Sequence, residues 1–262
     1  MKHIRTLISK EWAEVFKNRI VVFTVGALPL LMAALPLGIL LSLRGTSFSG
    51  GDTTDLPPSM IKACGAISVG ECFQVYMLNQ LLPLFMMMPL FIPIAIASYS
   101  IVGEKTTRSL EPLLATPITT EELLAGKALA AVIPAVLATW GSFAVFLIGL
   151  PLVGAGKAAL LTALSPTWFA ATLLIGPLVS VLAVIFALMI SSRVNDPRVA
   201  EQISGALVVP VIGLVFAQLA GVLVVNLQLM ITVAAALAVI DVILIFFGAR
   251  LFQREVILTR WK

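Results

Sequence analysis

Charge is what this sequence has least of. Asp, Glu, Lys and Arg make up only 11% of its 262 residues, against about 25% in a typical soluble domain, too few to cover a water-soluble fold. There is one histidine, His3, so imidazole catalysis and His-rich metal sites lack their parts. Two cysteines, Cys64 and Cys72, exclude a disulfide-dense scaffold. Clustered acids beside a nucleophile are missing as well, so the chain offers no catalytic, metal or cofactor site of its own. Nor is there a phosphate-binding loop, G-x-x-x-x-G-K-[ST]. Gly126-Lys127 runs on to Ala128 with Glu121 at the required glycine position, and Gly156-Lys157 runs on to Ala158 with Pro151 there.

What fills the space is apolar: 60% of the residues are hydrophobic and the mean hydropathy is +1.09. A hydrocarbon core about 30 Å thick takes about 20 such residues per helix. Six runs of that kind occur, roughly 20-43, 76-102, 128-152, 167-190, 204-225 and 229-248. They lack the strict alternation of barrel strands, and the first is longer than the apolar core of a cleaved signal peptide. The pattern predicts an all-α integral membrane protein with six transmembrane helices over 20-248, an amphipathic helix over 1-19 and a tail over 249-262.

Basic residues set the expected orientation. With the N-terminus inside, the inner segments hold 14 of the 17 Lys and Arg residues, leaving Arg44, Lys62 and Lys157 outside. Both termini are then cytoplasmic, in the cell's inner (plasma) membrane, and the pI near 9.3 reflects topology and contact with anionic lipid, not nucleic acid. In the first 19 residues Ile4, Leu7, Ile8, Trp12, Val15 and Phe16 recur at helical spacing, which suits a helix lying in the inner interface. Cys64 and Cys72 share the first outer loop, where a disulfide and two free thiols are both open readings. Asn226-Leu227-Gln228 is barely a turn, so spans five and six form a tight hairpin. Proline recurs within the spans, among others at Pro83, Pro134 and Pro177, each removing a helical N–H.

The densest charge lies in EKTTRSLEPLLATPITTEELLAGK, Glu104 to Lys127. Ser109 can cap a short helix with Pro112 in its first turn, Leu110, Leu113 and Leu114 forming an apolar ridge that Pro117 ends. Thr119 and Glu122 have capping-box spacing and start the third span. Such a segment either docks a cytoplasmic partner or packs on its own bundle. Gly103-Glu104-Lys105, Ser109-Leu110-Glu111, Leu113-Leu114, Thr116-Pro117-Ile118, Glu122-Leu123-Leu124 and Gly126-Lys127 resemble the signature of ABC transporter permeases of the type-2 exporter class. Lys10-Glu11-Trp12 is similar to that family's elbow helix, and Leu251-Phe252-Gln253-Arg254-Glu255 to its usual ending.

The resemblance implies that Glu104 to Pro117 carries a coupling helix docking on a separate cytoplasmic ABC ATPase, which binds ATP and Mg. It also implies a second permease copy or paralogue. Glu104, Lys105, Arg108 and Glu111 would then set ionic register with that ATPase, Leu110, Leu113 and Leu114 would fill its groove, and Ser109, Thr116 and Pro117 would shape the segment. Lys127 is either part of this signature or a basic anchor at the interface. The loop of Arg193, Asp196 and Arg198 is a candidate second contact. Asp241 is the one acid well inside a span, with Gln218 a weaker polar candidate; both are candidates for a translocation path or a subunit interface, and Asp241 also reads as a neutral, locally bonded carboxyl. The function implied is export of an amphipathic or hydrophobic substrate driven by the partner's ATP hydrolysis. An ion-coupled carrier or channel using Asp241 and a membrane-embedded enzyme acting on lipid are the alternatives.

Overall fold

The computed structural model describes residues 2–17, 19–43, 68–106 and 119–251. Among them every regular element is helical: α1 (Lys2–Val15), α2 (Arg19–Leu43), α3 (Val69–Phe85), α4 (Met88–Thr106), α5 (Thr120–Leu152), α6 (Lys157–Ala163), α7 (Pro166–Phe169), a π-helical segment (Ala170–Ile175), α8 (Gly176–Arg193), α9 (Pro197–Ser204), a 3-10 turn (Gly205–Leu207), α10 (Val208–Leu219) and α11 (Leu227–Leu251). Six continuous stretches are long and apolar enough to cross a membrane: Val21–Ser42, Val69–Glu104, Glu121–Leu152, Lys157–Arg193, Pro197–Leu219 and Leu227–Arg250. The expected Glu104 to Pro117 docking segment from Thr107 on, together with Cys64 and the C-terminal ending beyond Leu251, lies outside the described residues.

Three departures from the sequence reading have local causes. The second stretch starts at Val69 rather than near residue 76 because the Ser68 side chain accepts the Glu71 N–H and caps it. The fifth starts at Pro197 because Asp196 accepts the Arg198 N–H at 2.8 Å, so the inner loop there is only a few residues long. Spans five and six form no packed hairpin. Gly221, at φ +71°, ends the turn after α10, a left-handed conformation that glycine adopts without strain. From there α10 lies on α3, while α11 lies on α8 and the π segment.

Two apolar clusters hold the bundle. In one, Phe85 of α3, Phe143 and Phe146 of α5 and Trp168 of α7 pack as an aromatic group, the Trp168 ring 5.3 Å from Phe146 and 6.1 Å from Phe143. Such pairs add about 0.5–1.5 kcal/mol each beyond burial. In the other, Ile92, Ile96 and Ile101 of α4 meet Ala131 and Ala135 of α5 and Val184, Ala187 and Leu188 of α8. Alanines at these contacts let the helix backbones approach.

Prolines in the spans have a specific consequence. Proline at position i leaves the carbonyl at i−4 without its helical donor, and hydrocarbon offers no water to replace it. Pro83 frees Asn79 O, which accepts from Gln218 Nε2 of α10 at 2.8 Å. Pro134 frees Ala130 O, which accepts from Trp12 Nε1 of α1 at 2.9 Å. In the π segment the pairing is one residue longer, as Gly176 N–H bonded to Ala171 O shows. Pro177 therefore frees Thr172 O, which accepts from Trp140 Nε1 of α5 at 3.2 Å. In all three cases the donor is a side chain of a different helix.

Gln218, a candidate for a translocation path, thus spends its amide N–H on holding α10 to α3. Replacing it by leucine should leave Asn79 O bare and cost about 1–3 kcal/mol. In a Pro83→Ala background, which restores the missing N–H, the same Gln218→Leu change should cost clearly less. A double-mutant cycle of unfolding in detergent or bicelles measures the difference; strict additivity would refute the pairing.

Candidate functional site

Charge returns at the end of the bundle where α1 packs. Here α1, the end of α4 and the start of α5 meet, and they flank the described chain on both sides of residues 107–118. Gly126 makes the approach feasible. A Cβ at that position would come within 3.0 Å of Leu7 Cβ and Cδ1, so a larger residue would push α1 off α5. Leu7 and Glu11, one turn apart, are the buried face of α1, each 4% exposed. The stripe read from sequence as a lipid-facing surface therefore has a carboxylate at its centre.

That carboxylate finds a lysine. Lys127 Nζ lies 2.8 Å from Glu11 Oε1 and 3.0 Å from Glu104 Oε2. It also donates to Ser100 O at 3.1 Å and Ser100 Oγ at 2.9 Å, while the Ser100 hydroxyl donates to Glu11 Oε2 at 3.1 Å. Lys10 Nζ bonds the other Glu104 oxygen at 2.8 Å and reaches Glu14 at 3.5 Å toward the surface. Two acids and two bases thus balance at the core of the cluster. Lys127 is 1% exposed at its side chain, Glu104 5% and Glu11 6%.

Above this cluster a side chain of α8 bonds to the backbone of α4. The Ser191 hydroxyl of α8 donates to Ser98 O at 2.8 Å and accepts the Val102 N–H at 3.1 Å. Those two groups are an i, i+4 pair of the α4 ladder, so one hydroxyl of α8 bridges both and ties α8 to α4. On the far side of residues 107–118, Thr119 and Glu122 form a complete capping box at 3.2 Å in both directions. The segment is bounded by an anchored helix end and a capped helix start.

These positions revise several sequence readings. Glu104, read as setting ionic register with a partner, has its charge engaged by Lys10 and Lys127 within the chain. Lys127, read as a signature residue or an interfacial anchor, is instead the buried centre of the cluster. Lys105 sits in the last turn of α4, and Arg108, Ser109, Leu110, Glu111, Leu113, Leu114, Thr116 and Pro117 lie outside the described residues. Cys72 is 3% exposed and disulfide-bonded, and Cys64 is the only other cysteine of the chain. Asp241 is distant from the cluster, on α11, and 4% exposed. The role of Glu11 was missed because its partners Ser100 and Lys127 stand 89 and 116 residues away, where helical spacing gives no information; its one sequence signal is an acid interrupting an apolar stripe.

The model of the family described as ABC-2 family transporter protein matches residues 5–236, and the chain belongs to that family. The match spans nearly all of α1, the charged cluster and the first ten residues of α11. With six apolar helices, it makes the chain a multi-pass membrane protein of a transporter family. No curated protein matches the sequence.

Removing one partner of a buried ion pair strands the other charge, typically at about 3–5 kcal/mol, whereas apolar replacement of a whole set is often neutral. Lys127→Met should therefore destabilise the chain by about that amount. The quadruple variant Lys10→Met, Glu11→Leu, Glu104→Leu, Lys127→Met should recover most of the loss, read by unfolding in lipid-mimetic micelles. For Lys10, partial burial is the largest single influence and disfavours the charged form. The Glu104 hydrogen bond and the charges of Glu104, Glu11 and Glu14 together outweigh it, raising the pKa above its ordinary 10.5. A base whose pKa is raised on folding gives its full stabilisation below the unfolded value and loses it as pH climbs through the folded one. The stability gap between wild type and Lys10→Met should hold steady from neutrality up to 10.5 and close only at more alkaline pH.

Proposed function

We propose that this member of the ABC-2 transporter family is the permease of an ATP-driven exporter, working with separate cytoplasmic ABC ATPase subunits and a second permease copy or paralogue. ATP and Mg are handled by the ATPase, and this chain converts their cycle into rearrangement of helices. The observation that carries the reading is the buried cluster of Glu11, Glu104 and Lys127 at the root of residues 107–118. A segment pressed by a partner moves its attachments only if these are stiff. Here the entering helix end is ion-paired to α1 and α5, and the leaving helix start is capped. Displacement at the segment would thus reach three elements together.

In this reading the end carrying the cluster is cytoplasmic, in keeping with the excess of Lys and Arg expected there, and the membrane is the cell's inner membrane. Leu110, Leu113 and Leu114 enter the ATPase groove, with Lys105, Arg108 and Glu111 at its rim and Ser109, Thr116 and Pro117 shaping the turn. Glu104 anchors the segment without touching the partner. The disulfide of Cys72, for which Cys64 is the only other cysteine of the sequence, belongs to the opposite, oxidising side. The substrate class is amphipathic or hydrophobic, in keeping with the predominantly apolar spans. ATP supplies the bias between conformations through its different contacts in each.

Affinity purification from the native membrane, with mass spectrometry, tests the proposal. Wild type should retain an ABC ATPase, and Leu113→Asp, Leu114→Asp should lose it while remaining folded. The quadruple apolar variant of the cluster should retain the ATPase yet show at least a tenfold drop in permease-dependent ATP hydrolysis. Absence of any ATPase from the wild-type sample in mild detergent would overturn the reading.

A further inference from the structure

One buried ionisable group has no place in the cluster or in the helix contacts described so far. Asp241 lies in the middle of α11, 4% exposed, and neither carboxyl oxygen has a hydrogen-bond partner. Its sequence neighbours Ile240 and Val242 are 44% and 67% exposed, so the acid is turned away from the outer face, into its own chain. A residue already enclosed in this way cannot serve a subunit interface without rearrangement.

Register places it more closely. A Cβ on Gly248 would lie 3.6 Å from Ile185 Cγ2, so that face of α11 packs on α8. Asp241 precedes Gly248 by seven residues, about two turns and roughly 10 Å, and so falls on the same face. The fourth and sixth spans run in the same direction, which puts Asp241 level with about Leu178, immediately beyond Pro177 and the π segment. Single π turns inside α-helices are frequent at functional sites.

Among the described residues no cation stands near on the elements that pack on α11. Among the elements packed on α11, the π segment and α7 hold no charged residue, and α8 holds only Arg193 at its far end. That is about 15 residues, or roughly 22 Å, beyond Leu178. The charged residues of α5, Glu121, Glu122 and Lys127, are confined to its first turns. On α11 itself Arg250 is more than two turns away and lies 4.1 Å over the Phe246 ring. Ser180, the polar side chain of α8 nearest that level, donates to Gly176 O at 3.0 Å. A metal cation would require several oxygen ligands, and here there is one carboxyl.

A carboxyl so enclosed, with neither counter-charge nor hydrogen-bond donor, has one ligand of suitable size. We infer that Asp241 is a proton-binding site, held as the neutral acid in the face of α11 that packs on α8. The site stands apart from the charged cluster and does not rest on the ATP-coupled reading, because its test needs only the permease in lipid.

Infrared spectroscopy of the purified chain in lipid nanodiscs at neutral pH is that test. Wild type should show the carbonyl band of a protonated carboxylic acid, shifted in deuterated buffer and lost in Asp241→Asn. Should that variant not fold, wild type and Asp241→Glu grown with carboxyl-labelled aspartate decide. The band should carry the isotope shift in wild type and lose it in Asp241→Glu, where the acid is unlabelled. A wild-type spectrum with no acid band assignable to position 241, only ionised carboxylate, would overturn the inference.

Discussion

A carbonyl deprived of its helical donor inside a membrane must find another, and this bundle is arranged around that requirement. Pro83, Pro134 and Pro177 each expose one acceptor, and each acceptor is met by an N–H from elsewhere: Gln218, Trp12 and Trp140. Proline is usually discussed as bending a helix. Here it also creates a point of attachment, because the freed oxygen can be satisfied only where another helix brings a donor. The three bonds fix α10 on α3, α1 on α5, and α5 on the π segment, so the positions of the prolines help decide which helices become neighbours.

The charged cluster follows the same logic with ions. Glu11 and Glu104 would be costly to bury alone, and Lys127 would be equally costly; together with Lys10 they are neutral and hydrogen-bonded. Gly126 supplies the close backbone contact and Trp12 the second tie, so α1 is held to α5 by packing, a hydrogen bond and an ion pair within two turns of helix. Such a helix does more than float at an interface. It is keyed to one position by groups that no lipid could replace, and the chain entering and leaving residues 107–118 is fixed against it.

Much of this was legible in the sequence, and the limits were physical. Six apolar runs announce six membrane helices because the hydrocarbon thickness alone demands them, and the Thr119–Glu122 box was readable because both partners are local. The prolines were visible too. Their partners were not, since Trp12, Trp140 and Gln218 are separated from the freed carbonyls by between 32 and 139 residues. Lys127 read as an anchor because a lysine at the start of a span usually is one. Only the tertiary approach of α1 reveals that it is enclosed. Short loops likewise suggested a packed hairpin of the last two spans, whereas the left-handed Gly221 and the five residues after it separate α10 from α11.

The distance along the chain between Glu11 and Lys127 has a consequence for biogenesis. Glu11 is synthesised 116 residues before its lysine, and Trp12 118 residues before the carbonyl it must reach. As the polypeptide emerges, α1 waits without its buried lysine until the start of the third apolar span has been made. Its docking is therefore a late event that reports the arrival of α5. A truncated or misinserted chain would keep Glu11 exposed, a chemical mark by which an incomplete membrane domain differs from a finished one.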